Sequence, residues 1–406
     1  MSRRLCETWE QDSMPTKTKR DPKLIKNPLW RERLNYFESR QDALLQTIRS
    51  FVEIESPSDN KQAADRMGAF LAGTFEAIGG KATIHRADEY GDNLQIDFAG
   101  DATQKPVLLL GHFDTVYPLG TLANMSCKIE KDRLLGPGVL DMKSGIALML
   151  YAIEGLKAWH GNLPRPVTVL LVSDEEVGSY SSREITMSLA RQSAAVLVLE
   201  PAAARGAVKT ARKGVGEYFL TAHGISSHAG LDPGKGHSAI VELAHQIQAL
   251  WKLNDLKQGV SVNPGIIRGG TRTNVVAAEA TVEIDVRIKS ANQAKGLYRK
   301  LRSLKPHDKH CKLKMEGGIN RMPMERTPGV AALYEKAKSV AHQINWKLDE
   351  AAVGGGSDGN FTAGIGIPTL DGMGAVGEGA HAVHEHIVIS ELPRRALLLA
   401  GMIETA

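Results

Sequence analysis

Two short stretches concentrate side chains that ligate metals or move protons. One is Gly111-His112-Phe113-Asp114-Thr115-Val116, and the other is Gly136-Pro137-Gly138-Val139-Leu140-Asp141-Met142-Lys143-Ser144-Gly145. Zinc accepts imidazole and carboxylate alike, so His112 and Asp141 are candidate ligands. Asp114, two residues beyond His112, suits the role of orienting the imidazole through its other ring nitrogen. A polar loop would explain these residues equally well if they stood alone. They do not, because Ser173-Asp174-Glu175-Glu176-Val177-Gly178-Ser179, Glu200-Pro201 and Gly379-Ala380-His381 add acids and a second histidine.

The elements around these motifs determine whether they can meet. Val107–Leu110, Val167–Val172 and Ala195–Leu199 are continuous apolar runs, the pattern of strands buried on both faces. Each runs into a motif: His112, then Glu175 and Glu176, then Glu200. Asp141 stands at the entrance to a helix expected from about 143 to 158. Open α/β sheets bind ligands in the crevice beyond the carboxyl ends of their strands, so all these side chains converge there. That many carboxylates repel one another without cations. Two divalent ions bridged by Asp141 resolve the conflict, with His112 and Glu200 on one ion and Glu176 and His381 on the other. Each set leaves room for water or substrate, as a catalytic site requires. Neighbouring Glu175 and Glu176 cannot easily ligate one ion together, and the one left free could take a proton from a bound water.

Bulk properties narrow the class. The chain of 406 residues is 42% hydrophobic and carries 40 glycines, ordinary for an α/β enzyme of two or three domains. Net charge is +4, but residues 1–33 hold nine Lys/Arg against five Asp/Glu, so the remainder is neutral. A neutral body argues against nucleic acid as a partner. The tail has prolines and charges but no apolar core of a secretory signal, and no run is long enough to span a bilayer. Cys6, Cys127 and Cys311 are far apart and odd in number, which suggests reduced thiols and a cytoplasmic location.

In chain order, helices are expected at 34–55 and 61–78, then strands near 82–86, 93–98 and 106–110. After the helix at 143–158 come the strand Val167–Val172, a helix near 181–192 and the strand Ala195–Leu199. This alternation predicts an α/β catalytic domain with a mainly parallel central sheet flanked by helices, built from 34–212 and 323–406. Between them, strands at 214–222, 258–263, 280–288 and 311–316 and helices at 236–252 and 291–304 follow a β-α-β-β-α-β order. That order predicts an inserted ferredoxin-like α+β domain over 213–322. Helices near 328–344 and 390–404 complete the chain, and residues 1–33 read as a flexible basic extension.

His-x-Asp, Asp-Met-Lys-x-Gly, Asp-Glu-Glu-x-Gly-Ser, Glu-Pro and Gly-Ala-His-x-x-x-Glu occur here in that order. The set resembles the co-catalytic zinc aminoacylase/carboxypeptidase family, which includes glutamate carboxypeptidases, acetylornithine deacetylase and succinyl-diaminopimelate desuccinylase. The likeness spans about 35–405. It implies two Zn2+ per subunit, with Mn2+ or Co2+ as substitutes, on His112, Asp141, Glu176, Glu200 and His381. It further implies a metal-bridged hydroxide as nucleophile, Glu175 as general base, a cis peptide after Asp141 and a homodimer formed through 213–322, which would act as dimerisation and lid domain. Ser227-His228-Ala229-Gly230 is similar to the family segment that sends a histidine into the partner's site to bind the developing oxyanion. Asn274 and Arg287 resemble positions that hold a substrate α-carboxylate, although Glu283 and Asp285 offer Arg287 an ion pair instead. The N–H groups of Gly355 and Gly356, ahead of an expected helix start, could bind an anion. Pro137 departs from the family pattern, and His384 and His386 compete with His381 as ligand.

The expected activity is hydrolysis of an amide to release a C-terminal amino acid from a small N-acyl amino acid or peptide, as in glutamate carboxypeptidases. An N-acyl-amino-acid deacylase of the acetylornithine type is the alternative, since the metal core is shared. A non-catalytic metal-binding protein would lack a ligand or the base, and none is missing. A nucleotide enzyme would need a phosphate loop of the Gly-x-x-x-x-Gly-Lys-Ser/Thr type, which is absent.

Overall fold

The computed structural model describes residues 25–406; most of the expected basic extension, with Cys6, lies outside the described residues. A six-stranded sheet organises the molecule. Its order is Lys81–His85, Asn93–Phe98, Val167–Val172, Val107–His112, Ala195–Val198, Thr369–Leu370. The first two strands are antiparallel to their neighbours and the remaining four run parallel. Apolar residues fill both faces. Val107, Leu109, Val169, Leu171 and Leu197 point into the larger core, and Leu108, Leu110, Leu170, Val172 and Val196 into a smaller one on the reverse. Two-sided burial is why these strands read as unbroken apolar runs. The helices Ser144–His160 and Leu392–Thr405 cover the larger face. Ile185 and Leu189 of the helix Arg183–Gln192 pack on the other.

The chain leaves this layer after the strand Val208–Arg212. Gly214–His223, Ser261–Gly269, Glu279–Ile288 and Lys312–Arg321 form a separate antiparallel sheet in which Gly214–His223 lies between Glu279–Ile288 and Lys312–Arg321. With the helices Ala239–Trp251 and Ala291–Arg302 the order is β-α-β-β-α-β, and its apolar core, including Leu220, Leu243, Val282 and Leu297, is its own. The strand Ser261–Gly269 is an edge and tolerates Pro264 beside a bulge. A further four-stranded antiparallel sheet joins Lys128–Glu130 and Arg133–Leu135 to His386–Val388 and Gly377–Glu378. It fastens the His381 loop to the segment that precedes Asp141.

Two expectations need correction. The helix expected over 34–55 is two helices, Pro28–Glu38 and Gln41–Val52, separated at Ser39 and Arg40. The extension expected to stay flexible to residue 33 is helical from Pro28 onward. Asn27 caps that helix by accepting the Leu29 N–H at 3.1 Å, and Pro28 supplies a helix-compatible first position. Arg33 then forms a bidentate pair with Glu404 (2.8 and 2.9 Å) and lies against Trp30 and Trp159. A charge count could not show that this arginine is committed to the last helix.

Candidate metal centre and active site

Parallel pairing brings the ends of Val107–His112, Val167–Val172 and Ala195–Val198 to one side of the sheet. His112 is the last residue of its strand and is buried. Its Nδ1 lies 3.0 Å from the Asp114 carbonyl oxygen and 3.4 Å from the Asp114 carboxylate. Its Nε2 faces Asp141 Oδ1 at 3.1 Å and Glu200 Oε1 at 3.5 Å. On the other side, His381 Nε2 stands 3.1 Å from Glu176 Oε1 and 3.5 Å from Asp141 Oδ2. Each oxygen of Asp141 therefore addresses a different histidine, and each histidine has a second carboxylate beside it. His386 does not compete: it is buried in the small sheet with Nδ1 against the His384 carbonyl. His381 reaches the acids through a tight turn, with φ of +63° after Gly379 at +84°.

Several partners hold this arrangement. Asp114 is fully buried; its carboxylate accepts Ser58 Oγ–H at 2.7 Å and the N–H groups of Glu175 (3.3 Å) and Glu176 (3.2 Å). It thus aligns His112 and the Glu175–Glu176 turn together. A Cβ at Gly145 would run into the Leu199 carbonyl, so glycine lets the Ser144–His160 helix close on the strand that delivers Glu200. The peptide between Asp141 and Met142 is cis.

Three residues whose partners the sequence could not place complete the frame. Glu385 is buried; its Oε1 accepts the N–H groups of Leu140 (2.7 Å) and Asp141 (3.0 Å), and its Oε2 accepts Tyr117 Oη–H (2.6 Å) and Gly138 N–H (3.2 Å). The acid four residues after His381 was visible in the motif, but not its target. Arg212 grips Asp371 through two bonds of 2.7 and 2.9 Å and approaches Glu200 Oε2 at 3.4 Å. Arg321 places Nη2 3.0 Å from both Glu175 Oε1 and Asp358 Oδ1. Both arginines end strands, a position that a motif search does not weigh.

The electrostatics follow from this burial. Desolvation holds the Glu175 carboxyl well above the usual carboxylate range, with Arg321 opposing. Glu176 is raised by burial against the pull of His381. For His112 burial disfavours the cation, but the hydrogen bonds to Asp114, Asp141 and Glu200 outweigh it and the net shift is upward. His381 is pushed up to about 10, first by Asp141 and then by Glu176. Two buried glutamates whose ionisation is disfavoured, beside imidazoles whose neighbours favour the cation, mark a donor set whose charge divalent cations would balance. One ligand atom each from His112, Asp141 and Glu176 lies within 4.8 Å of the others, as does one each from His112, Glu175 and Glu200.

The remaining candidates fall outside this cluster. Arg287 is committed to Asp285, with Nε–Oδ1 at 2.9 Å and Nη2–Oδ2 at 2.8 Å. Gly355 and Gly356 turn their carbonyls to Arg212 Nη1 at 3.1 and 3.0 Å, and the Ser357 and Gly359 N–H groups bond within the loop. His228 is exposed on the separate antiparallel unit, zipped to the Asn274 strip by Ala229 N–H to Asn274 O at 2.9 Å. Its Nδ1 accepts the N–H groups of Gly230 and Leu231 at 3.1 Å each, so Nε2 carries the proton and can donate.

Two imidazoles and three glutamates gathered around one aspartate, beside the ends of parallel strands, are the donor set of a metal-dependent hydrolase. Residues 108–405 match the peptidase family M20/M25/M40, and the chain belongs to that family. It is 29% identical over 370 residues to carboxypeptidase G2 of Pseudomonas sp., covering 89% of each chain. It is 27% identical over 354 residues to succinyl-diaminopimelate desuccinylase of Paracidovorax citrulli, covering 79% of this chain and 89% of that one. Among solved structures, an aminopeptidase PepT from Bacillus cereus shares the fold with a TM-score of 0.73 at 23% identity, over 90% of this chain and 98% of the other. Among the described residues no helix is long and apolar enough to cross a membrane.

Proposed function

We propose that the protein is a dinuclear zinc-dependent exopeptidase that cleaves an amide bond and releases a C-terminal amino acid. The observation that carries this reading is the symmetry about Asp141: one carboxylate oxygen toward His112 and Glu200, the other toward His381 and Glu176. His112 with Glu200, and His381 with Glu176, would each hold one ion, with Asp141 shared. When bound, the ions supply carbonyl polarisation and a water acidic enough to attack at neutral pH. Glu175 takes the proton of the attacking water and returns it to the departing amine. Its Oε1 is engaged by Arg321, so that Oε2 is the oxygen that works. Burial raises this carboxyl above the usual carboxylate range, with Arg321 opposing, which favours its holding the transferred proton.

His228, contributed by a second copy of the chain, would donate its Nε2–H to the developing oxyanion, while Asn274 and Arg287 would hold the product carboxylate. Arg287 would have to exchange Asp285 for substrate. The homodimer would form through 213–322. Supporting it, Ile266 and Ile267 on the edge strand are 47% and 54% exposed, and Ile240 and Val241 on the adjoining helix are 42% and 58% exposed. An unpaired strand edge flanked by apolar side chains favours pairing with its own copy. The names of the relatives divide between a carboxypeptidase and a desuccinylase, so an N-acyl-amino-acid deacylase is the second reading.

Glu175→Gln tests the mechanism. The variant is expected to bind its full complement of metal and to lose about 10²–10⁴-fold in kcat. A glutamine variant that turns over at the wild-type rate would refute the base assignment. Mass spectrometry of products from a panel of dipeptides and N-acyl amino acids separates the two substrate classes, and activity that survives complete chelation would exclude both.

A further inference from the structure

A second group of ligand-type side chains lies in the antiparallel unit, apart from the strand-end cluster. His237, Asp308 and His310 each offer a ligand atom, and these atoms lie within 4.8 Å of one another. His237 Nδ1 is 2.6 Å from Asp308 Oδ2, and the rings of His237 and His310 are 4.1 Å apart between centroids. The residues come from two segments. His237 precedes the helix Ala239–Trp251, and Asp308 and His310 lie in the turn that leads to Lys312–Arg321.

The turn is held in place by buried polar groups. Glu242, in the first turn of that helix and 1% exposed, accepts the N–H groups of His307 (2.9 Å) and Asp308 (2.8 Å) and the Gln246 amide (2.7 Å). Gln246, 4% exposed, also donates to the Lys305 carbonyl at 2.9 Å. The backbone of His237 is locked by reciprocal hydrogen bonds with Ile225, both 2.8 Å. Asp308 Oδ1 accepts the His310 N–H at 2.9 Å. All three side chains therefore start from anchored backbone, which reduces the ordering cost of closing on a ligand. The adjacent His245 and His307 rings stack at 4.0 Å but contribute no atom to the group.

We propose that His237, Asp308 and His310 bind one divalent cation of the zinc class, separate from the catalytic cluster. Two imidazoles and one carboxylate suit zinc and its neighbours, whereas magnesium and calcium favour all-oxygen sets. Donor atoms about 2.0–2.2 Å from a tetrahedral zinc stand about 3.3 Å apart. The Nδ1–Oδ2 pair at 2.6 Å need open by only a fraction of an ångström when the cation replaces the shared proton. His310 is exposed, so the ion enters directly from solvent and water completes the shell. The bound cation would clip the helix to the turn from outside, as Glu242 does from within.

The test uses the full chain, stripped by chelator and then dialysed against Zn2+, with metal content per chain measured for wild type, His310→Ala and Asp308→Asn. The expected result is one equivalent fewer in each variant than in wild type, together with a smaller zinc-dependent rise in Tm. The readout is a difference between chains that share the same strand-end cluster. It is therefore independent of how many ions that cluster holds. Equal metal content and equal zinc-dependent Tm shifts in all three chains would overturn the proposal.

Discussion

Glu385→Gln probes how the site is held, because this side chain is surrounded by donors. Oε1 accepts two N–H groups, from Leu140 and Asp141, and Oε2 accepts Tyr117 Oη–H and Gly138 N–H. A glutamine amide keeps one acceptor. With its oxygen toward Leu140 and Asp141, its nitrogen can donate to Tyr117, whose hydroxyl then turns to the Ala382 carbonyl 3.1 Å away. Gly138 N–H is left without an acceptor. One orphaned buried donor costs about 1–3 kcal/mol, and exchanging charge-assisted bonds for neutral ones adds up to about 1 kcal/mol more. The expected loss is about 2–4 kcal/mol, read as a lower urea midpoint at constant m value. The Asp141 N–H then faces a neutral amide oxygen in place of a carboxylate, and such outer partners are typically worth 10–100-fold in metal affinity or activity. Competition with a chelator of known affinity measures that second effect. A variant within about 0.5 kcal/mol of wild type, with unchanged metal affinity, would show that Glu385 does not position Asp141.

Arg321→Met removes the cation shared by Glu175 and Asp358. Both acids are largely buried, so the expected destabilisation is about 3–5 kcal/mol, measured by urea unfolding; an unchanged midpoint would refute the pairing. Glu242→Gln tests a pH limb. Burial opposes ionisation of Glu242, but the N–H groups of Asp308 and His307 and the Gln246 amide outweigh it and hold its folded pKa below the usual value. Its stabilisation is therefore present above the unfolded carboxyl pKa and lost as pH falls through the folded one. The wild-type advantage over the variant should be full at neutral pH and shrink in acid; a gap independent of pH would contradict this. For the proposed dimer, Ile267→Asp should shift the sedimentation coefficient to that of a monomer, and an unaltered dimer would move the interface elsewhere.

What could be read in advance was whatever depends on short spacing. Val107–Leu110 and Val167–Val172 are apolar at every position because the sheet is covered on both sides, and their ends named His112 and Glu175. The short strands Lys128–Glu130 and Gly377–Glu378 carry no periodicity and exist only because partners from elsewhere pair with them. The break at Ser39 and Arg40 was invisible for a related reason: the apolar spacing continues across it. Pairings such as Arg33 with Glu404 leave no local signal at all.

By itself the sequence determined which groups are available: His112, Glu175, Glu176 and Glu200 at or after strand ends, with Asp141 before a helix and His381 in a later loop, in an order shared with one peptidase family. Folding decided which oxygen of Asp141 faces which histidine, that His381 rather than His386 reaches it, and that Arg321 accompanies Glu175. Backbone pattern and side-chain type are encoded locally. A bridging geometry depends on hydrogen bonds between positions far apart in the chain, such as Glu385 to Asp141, which form only once the sheet and its loops have closed.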